Sequence, residues 1–127
     1  MIVTEIFVVD DDESVRRALE RLLRSVGYRV RSFASATQAL PELGRNHPDC
    51  LIIDVRMPAV NGLELFDILR RERSMVPVIF ITGHGDVAMA VRAMKAGAAD
   101  FLVKPFDDHA LLGAVTKAVT HGGALTG

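Results

Sequence analysis

Reactive or ligand-forming side chains follow four short apolar runs of the chain. Asp10 and Asp11 follow one short apolar run, and Asp54 follows another. Thr82 and Lys104 come directly after two further apolar runs. Crowded carboxylates repel one another and raise each other's pKa unless a cation joins them. Oxygen ligands without thiolate or imidazole suit a hard ion, and we expect Mg²⁺ at this group.

Such a site would favour chemistry at phosphorus. A carboxylate beside Mg²⁺ can act as a nucleophile toward phosphorus, because the metal offsets the charge of the incoming phosphoryl group. Thr82 can donate a hydrogen bond to a phosphoryl oxygen, and Lys104 offers a positive point charge. Taken singly, the acidic run after the first strand, Thr82 and Lys104 are better explained by a helix cap, a strand end and a solvated side chain. Asp54 alone fits a turn cap equally well. Their joint position at the ends of four strands favours a shared site.

Short apolar runs alternate five times with amphipathic stretches, and this alternation predicts the elements that position these side chains. Four of the runs are nearly continuous, which is typical of strands in a parallel sheet covered on both faces. The fifth, Tyr28–Phe33, alternates apolar and basic residues and is expected near an edge. The other predicted strands are Ile6–Val9, Cys50–Ile53, Val78–Ile81 and Phe101–Val103. Five βα units indicate a doubly wound α/β fold, with ligands at the carboxyl ends of the strands.

Helical periodicity fills the stretches between the strands. The first helix is expected to end at Gly27, and the fourth at Gly97. The third, fourth and fifth helices have predicted N-caps at Asn61, Asp86 and Asp107.

Two of these helices carry further expectations. Pro41 lacks an N–H, so we expect it to kink or shorten the second helix near Ser35–Leu43. The fourth helix carries an apolar stripe, and such a stripe is expected to face the core. Its members are Val87, Ala90, Val91 and Met94.

Length and composition fit one soluble domain. We assign residues 1–121 of the 127 to that domain and 122–127 to a loose Gly-rich tail or the start of a linker. Fifteen basic and sixteen acidic residues give a net charge of -1, which argues against a nucleic-acid binder. The single cysteine, Cys50, fits a reducing cytoplasm. No apolar run approaches the ~20 residues of a membrane span, and no signal-peptide pattern precedes the domain.

The motifs together resemble the receiver domain of two-component response regulators. The resemblance covers residues 4–121, and Ile81–Asp86 with Ala93–Ala98 are similar to FixJ-type regulators in particular. It implies a (βα)5 flavodoxin-like fold with strand order 2-1-3-4-5. The stretches that carry it are Val9–Asp12, Asp54–Pro58 with Gly62, Thr82–Gly83 and Lys104–Phe106.

The resemblance also implies a role for each acidic residue. Asp54 would accept a phosphoryl group from a phosphohistidine on a sensor histidine kinase. Asp11 and Asp54 would bind Mg²⁺ directly, and Asp10 would act partly through water. The backbone carbonyl of Arg56 would complete the protein ligands.

A switch and its readout follow from the same resemblance. Lys104, beside a cis bond to Pro105, would pair with the phosphoryl group, and Thr82 would move toward it. Phe101 would turn inward with Thr82 and reshape the face of helix 4 and strand 5, which could then form a homodimer. The output would be transcription through a separate DNA-binding domain, and the chain would catalyse only its own phosphoryl transfer and slow dephosphorylation.

Two other classes use a similar fold. A phosphatase of the haloacid-dehalogenase type also combines aspartate with Mg²⁺, but that family places its nucleophile in an Asp-x-Asp motif after the first strand. Here the lone Asp54 follows the third strand instead. A flavodoxin-like FMN carrier needs a Ser/Thr/Gly-rich loop after strand 1, where three aspartates would repel the phosphate. The receiver domain is therefore the hypothesis that we favour over the phosphatase and the FMN carrier.

Overall fold

One five-stranded parallel sheet organises the chain. The computed structural model describes residues 3–57, 59–83 and 87–126, with side chains up to residue 120. The strands are β1 (Glu5–Val9), β2 (Arg29–Phe33), β3 (Cys50–Asp54), β4 (Val78–Thr82) and β5 (Asp100–Val103). Their order in the sheet is β2-β1-β3-β4-β5, with every neighbouring pair parallel. The predicted fold and strand order are confirmed, and β2 lies at an edge.

Five helices cover the two faces of the sheet and create two cores. They are α1 (Glu13–Ser25), α2 (Ala36–Arg45), α3 (Gly62–Arg71), α4 (Val87–Lys95) and α5 (Asp108–Thr126). One core lies under α2, α3 and α4, and the other under α1 and α5. Residues of β1 alternate between them, since Phe7 and Val9 join the first core while Ile6 and Val8 join the second. Burial on both faces explains why the strands are continuously apolar.

Several helix ends lie where the sequence predicts them. Gly27 (φ 96°) and Gly97 (φ 104°) adopt the left-handed conformation just after α1 and α4. Asn61 caps α3 and forms a reciprocal capping box with Glu64. The α5 helix begins directly after Asp107. The predicted cap at Asp86 lies outside the described residues.

Two helices are longer than the sequence predicts. The α2 helix continues through Pro41 to Arg45, because the proline removes one backbone donor while Ala39 and Leu43 remain buried against the core. The α5 backbone is helical through Thr126, where the sequence predicts a loose tail from residue 122. Each glycine there costs about 1 kcal/mol relative to alanine, which does not end this helix.

Within the described residues, no helix combines the length and apolarity needed to cross a membrane.

The apolar stripe of α4 faces outward rather than toward the core. Val87, Val91 and Met94 are exposed, as is Val103 on the neighbouring strand β5. Ala93 and Met89 instead make the inward contacts of α4. Helical spacing identifies an apolar stripe but does not determine whether the sheet or another surface covers it.

Candidate functional site

Three carboxylates meet at the carboxyl edge of the sheet. Asp10 follows β1, and Asp54 ends the adjacent strand β3, so the sheet itself brings the two together. One carboxylate oxygen from each of Asp10, Asp11 and Asp54 lies within 4.8 Å of the other two. Asp10 and Asp54 are buried, whereas Asp11 is exposed. This set of clustered oxygen donors, open to solvent on one side, fits a hard divalent cation such as Mg²⁺.

Lys104 joins two of these carboxylates. Its Nζ atom donates to Asp10 Oδ2 at 3.1 Å and to Asp54 Oδ2 at 3.3 Å. Partial burial disfavours the charged form, but the hydrogen bonds and charges of Asp10 and Asp54 outweigh it and raise the pKa of Lys104. The Lys104 N–H also donates to the Thr82 carbonyl at 2.6 Å, and the bond to Pro105 is cis. Lys104 therefore places a positive charge between the two buried carboxylates.

The carboxyl of Asp54 is the most perturbed acid at this edge. Burial, together with the negative charge of Asp10, raises its pKa from the ordinary 3.8 to about 6. The positive charge of Lys104 and the hydrogen bond from the Arg56 N–H to Asp54 Oδ1, at 3.1 Å, lower this pKa. At neutral pH the group is mainly ionised, as a nucleophile must be, and its charge is only partly offset.

The two predicted switch residues lie on neighbouring strands. Thr82 is fully buried at the end of β4, one residue beyond the Asp54–Ile81 pair of the sheet. Phe101 on β5 is partly buried, with its ring centroid 6.4 Å from that of Phe80. The two residues thus lie on the two strands that follow β3, which carries Asp54, toward the β5 edge of the sheet. Their movement stays a prediction.

Gly62 brings the start of α3 against the backbone of Asp54. A Cβ atom at this position would lie 2.7 Å from the Asp54 carbonyl oxygen and 2.9 Å from Val55 Cα. The Gly62 N–H also donates to the Val55 carbonyl. In the sequence, Gly62 is only one position of a motif. The structure shows why glycine is needed there, since a side chain would clash with the Asp54 backbone.

Asp12 and Arg16 make hydrogen bonds beside the site that the sequence does not predict. The Asp12 carboxylate caps α1, accepting from Ser14 and Val15, and these hydrogen bonds, led by that of the Ser14 hydroxyl, lower its pKa. Arg16 of α1 is half-buried and donates to the Asp10 carbonyl at 2.7 Å. Only Asp10 and Asp11 of the first acidic run therefore contribute carboxylates to the group.

The geometry disfavours both alternative classes. The second aspartate of an Asp-x-Asp motif would be Asp12, whose carboxylate faces the α1 N-terminus instead. An FMN phosphate after β1 would meet Asp10 and Asp11, which are already close to Asp54. Cys50 is buried, and burial raises the pKa of its thiol to about 12, so this thiol is not a reactive group beside the site.

Comparison with known proteins identifies the family. Residues 6–116 match the model of the response regulator receiver domain. The chain is 50% identical over 114 residues to response regulator protein TmoT of Ectopseudomonas mendocina, covering 90% of this chain and 52% of that protein. It is 48% identical over 114 residues to the transcriptional regulatory protein FixJ of Azorhizobium caulinodans, covering 90% and 54%.

Solved structures agree with this assignment. The fold is similar to that of FixJ-N, with a TM-score of 0.88 and 41% identity over 95% of this chain and 97% of that one. The chain spans about half the length of the curated relatives it matches. The chain belongs to the family of response regulator receiver domains.

Proposed function

We propose that this receiver domain is a phosphorylation-controlled switch in which Asp54 accepts the phosphoryl group. The observation that carries the proposal is the bridge of Lys104 between Asp10 and Asp54, within a group whose carboxylate oxygens lie within 4.8 Å. In the transfer, an Asp54 oxygen attacks phosphorus while the bond from phosphorus to the donor histidine breaks. The imidazole leaves and takes up a proton, so atoms and charge balance.

Mg²⁺ would be held by Asp11 and Asp54, by Asp10 partly through water, and by the Arg56 carbonyl. When bound, the ion offsets the negative charge shared by Asp54 and the phosphoryl group. The chain's own residues do the rest. Asp54 remains mainly ionised at neutral pH although its pKa is raised to about 6. Lys104 can turn from the carboxylates to a phosphoryl oxygen.

The donor is a sensor histidine kinase, and a groove beside the site supports a protein partner. The groove has a volume of about 630 Å³ and lies between α1 and the loop after β5. Its lining includes Ala18, Leu22, Pro105 and Phe106, with Lys104 at one end. A helix of the kinase seated here would bring its phosphohistidine to the open side of the acidic group. This exchange would take place in the cytoplasm.

The readout that we propose is a second copy of the chain, bound through α4 and β5 after phosphorylation. Movement of Thr82 toward the phosphoryl group would open space for Phe101, which packs beside Phe80. The outward apolar side chains support a contact here: Val87, Val91, Met94 and Val103. DNA would be bound by a separate output domain, as the name of the related transcriptional regulator FixJ suggests.

Labelling with acetyl phosphate tests this function. In the presence of Mg²⁺, we expect one phosphoryl group per chain, labile to base and to hydroxylamine as an acyl phosphate is. Asp54→Asn should remove the label. Asp12→Asn is a matched control that should keep it, because the Asp12 carboxylate caps α1. Repeated turnover of p-nitrophenyl phosphate would instead support the haloacid-dehalogenase phosphatase.

A further inference from the structure

Every polar group of Asp10 is bound within the protein. Its N–H donates to the Phe33 carbonyl at 3.1 Å. Its two carboxylate oxygens accept from the Asp12 N–H at 2.9 Å and from Lys104 at 3.1 Å. Its carbonyl oxygen accepts from Arg16 Nη1 at 2.7 Å. Of these partners, Arg16 is the one that comes from the helical face of α1.

The bond from Arg16 fixes a peptide plane rather than a side chain. The Asp10 carbonyl and the Asp11 N–H belong to the same planar unit, so holding the carbonyl also sets the direction in which Asp11 leaves the backbone. Asp11 is exposed, and its carboxylate must nevertheless stay within 4.8 Å of the other two. The position of Asp11 therefore depends on the backbone that Arg16 holds.

The Arg16 guanidinium donates to the Asp10 carbonyl and takes part in no ion pair among the described residues. Its neighbour Arg17, by contrast, pairs with Glu13 at 2.8 Å. Arg17 is 73% exposed, while Arg16 is half-buried. Two adjacent arginines of α1 thus differ in function: one makes a surface ion pair, and the other reaches the end of β1.

We propose that Arg16 is a positioning residue for the divalent cation, acting through the Asp10–Asp11 peptide. The inference rests on the proposed function, because it assumes that the acidic group binds Mg²⁺. Groups that orient metal ligands affect affinity strongly even when they never touch the ion. The sign of the effect distinguishes positioning from simple electrostatics. Removing a positive charge near a cation site should strengthen cation binding, whereas losing the positioning bond should weaken it.

Isothermal titration with Mg²⁺ tests the proposal on the wild type, Arg16→Gln, Arg16→Lys and Arg17→Gln. We expect Arg16→Gln to weaken Mg²⁺ binding about tenfold. Arg16→Lys should lie between Arg16→Gln and the wild type, because one ammonium can still donate to the carbonyl. Arg17→Gln removes the same charge one residue away and should leave the affinity unchanged or slightly tighter. Labelling of Arg16→Gln by acetyl phosphate should return to the wild-type rate at saturating Mg²⁺.

Three results would overturn the inference in different ways. Unchanged or tighter Mg²⁺ binding by Arg16→Gln would exclude positioning. A lower melting temperature with unchanged affinity would leave Arg16 with a structural role only. If Arg16→Gln does not fold, Arg16→Lys decides, since wild-type affinity in that variant would also contradict the inference. Failure of the wild type to bind Mg²⁺ would instead overturn the proposed function itself.

Discussion

Lys104 Nζ lies 3.3 Å from Asp54 Oδ2, although 50 residues separate the two in sequence. The contact arises because β3 and β5 run parallel on either side of β4 and end at the same edge of the sheet. The same ammonium is 3.1 Å from the fully buried Asp10 carboxylate. One cation thus holds two acidic groups together before any phosphoryl group arrives.

Replacing Lys104 should destabilise the protein when no divalent cation is present. Lys104→Met leaves the buried Asp10 without its charged partner, so we expect the free energy of unfolding in EDTA to fall by about 2 kcal/mol. Mg²⁺ should restore part of the loss, because it can supply the missing positive charge. Urea titrations with EDTA and with Mg²⁺ measure both effects. Lys117→Met, on the exposed side of α5, is the control. Equal stability of wild type and Lys104→Met in EDTA would contradict the expectation.

Asp54→Asn should stabilise the protein in the absence of Mg²⁺, and the gain should depend on pH. The pKa of Asp54 is raised from 3.8 to about 6, so the folded state binds this proton more tightly than the unfolded chain does. The ionised group therefore lowers wild-type stability above pH 6, by about 2 kcal/mol, and this penalty disappears as the pH falls toward 4.

Urea unfolding of wild type and Asp54→Asn in EDTA, from pH 8 to pH 4, measures this difference. The advantage of the variant should be largest above about pH 6 and should shrink below it. Asp67→Asn, which removes only an exposed ion pair with Arg71, should show no such trend. A constant difference between wild type and Asp54→Asn across this range would show that burial does not perturb Asp54.

Gly62→Ala should push the start of α3 away from Asp54. The new Cβ atom would lie within 3 Å of the Asp54 carbonyl, Ile53 and Val55, and two of these three contacts are with rigid backbone. We expect a loss of about 2 kcal/mol in unfolding free energy and slower labelling by acetyl phosphate.

Gly113→Ala is the matched control for that substitution. Gly113 lies in α5 with no atom within 4 Å of an added Cβ, so alanine should increase stability by up to about 1 kcal/mol. Thermal unfolding of both variants measures the contrast. A Gly62→Ala protein with wild-type stability and labelling would show that α3 can shift without disturbing Asp54.

The apolar runs predict the sheet well because the burial of a strand is visible in the strand's own residues. Continuous burial of β1, β3 and β4 leaves a readable signal, and strands that end at one edge bring Asp10, Asp54 and Lys104 together. No sequence pattern predicts the contact of Arg16 with the Asp10 carbonyl, because an arginine on a helix can either face solvent or donate to a carbonyl. The outward stripe of α4 is similarly ambiguous, because apolar spacing is the same on an inner face and on an interface.

Activation should produce a dimer through the α4–β5 face. In beryllofluoride and Mg²⁺, we expect analytical ultracentrifugation to show self-association that the resting protein lacks. Val91→Asp places a charge in the exposed apolar patch and should prevent the dimer without affecting labelling. Val26→Asp, at an exposed valine after α1, should dimerise normally. A monomer in both states at high protein concentration would exclude this readout.

Mapping the modified residue is the sharpest test of Asp54 as the phosphoryl acceptor. An acyl phosphate on aspartate is reduced by borohydride to homoserine, so the acceptor acquires a permanent mass change that peptide sequencing by mass spectrometry can locate. After treatment with acetyl phosphate and Mg²⁺, we expect homoserine at Asp54 and none at Asp10, Asp11 or Asp12. Homoserine at another aspartate, or an unmodified Asp54 in protein that carries the label, would contradict this assignment.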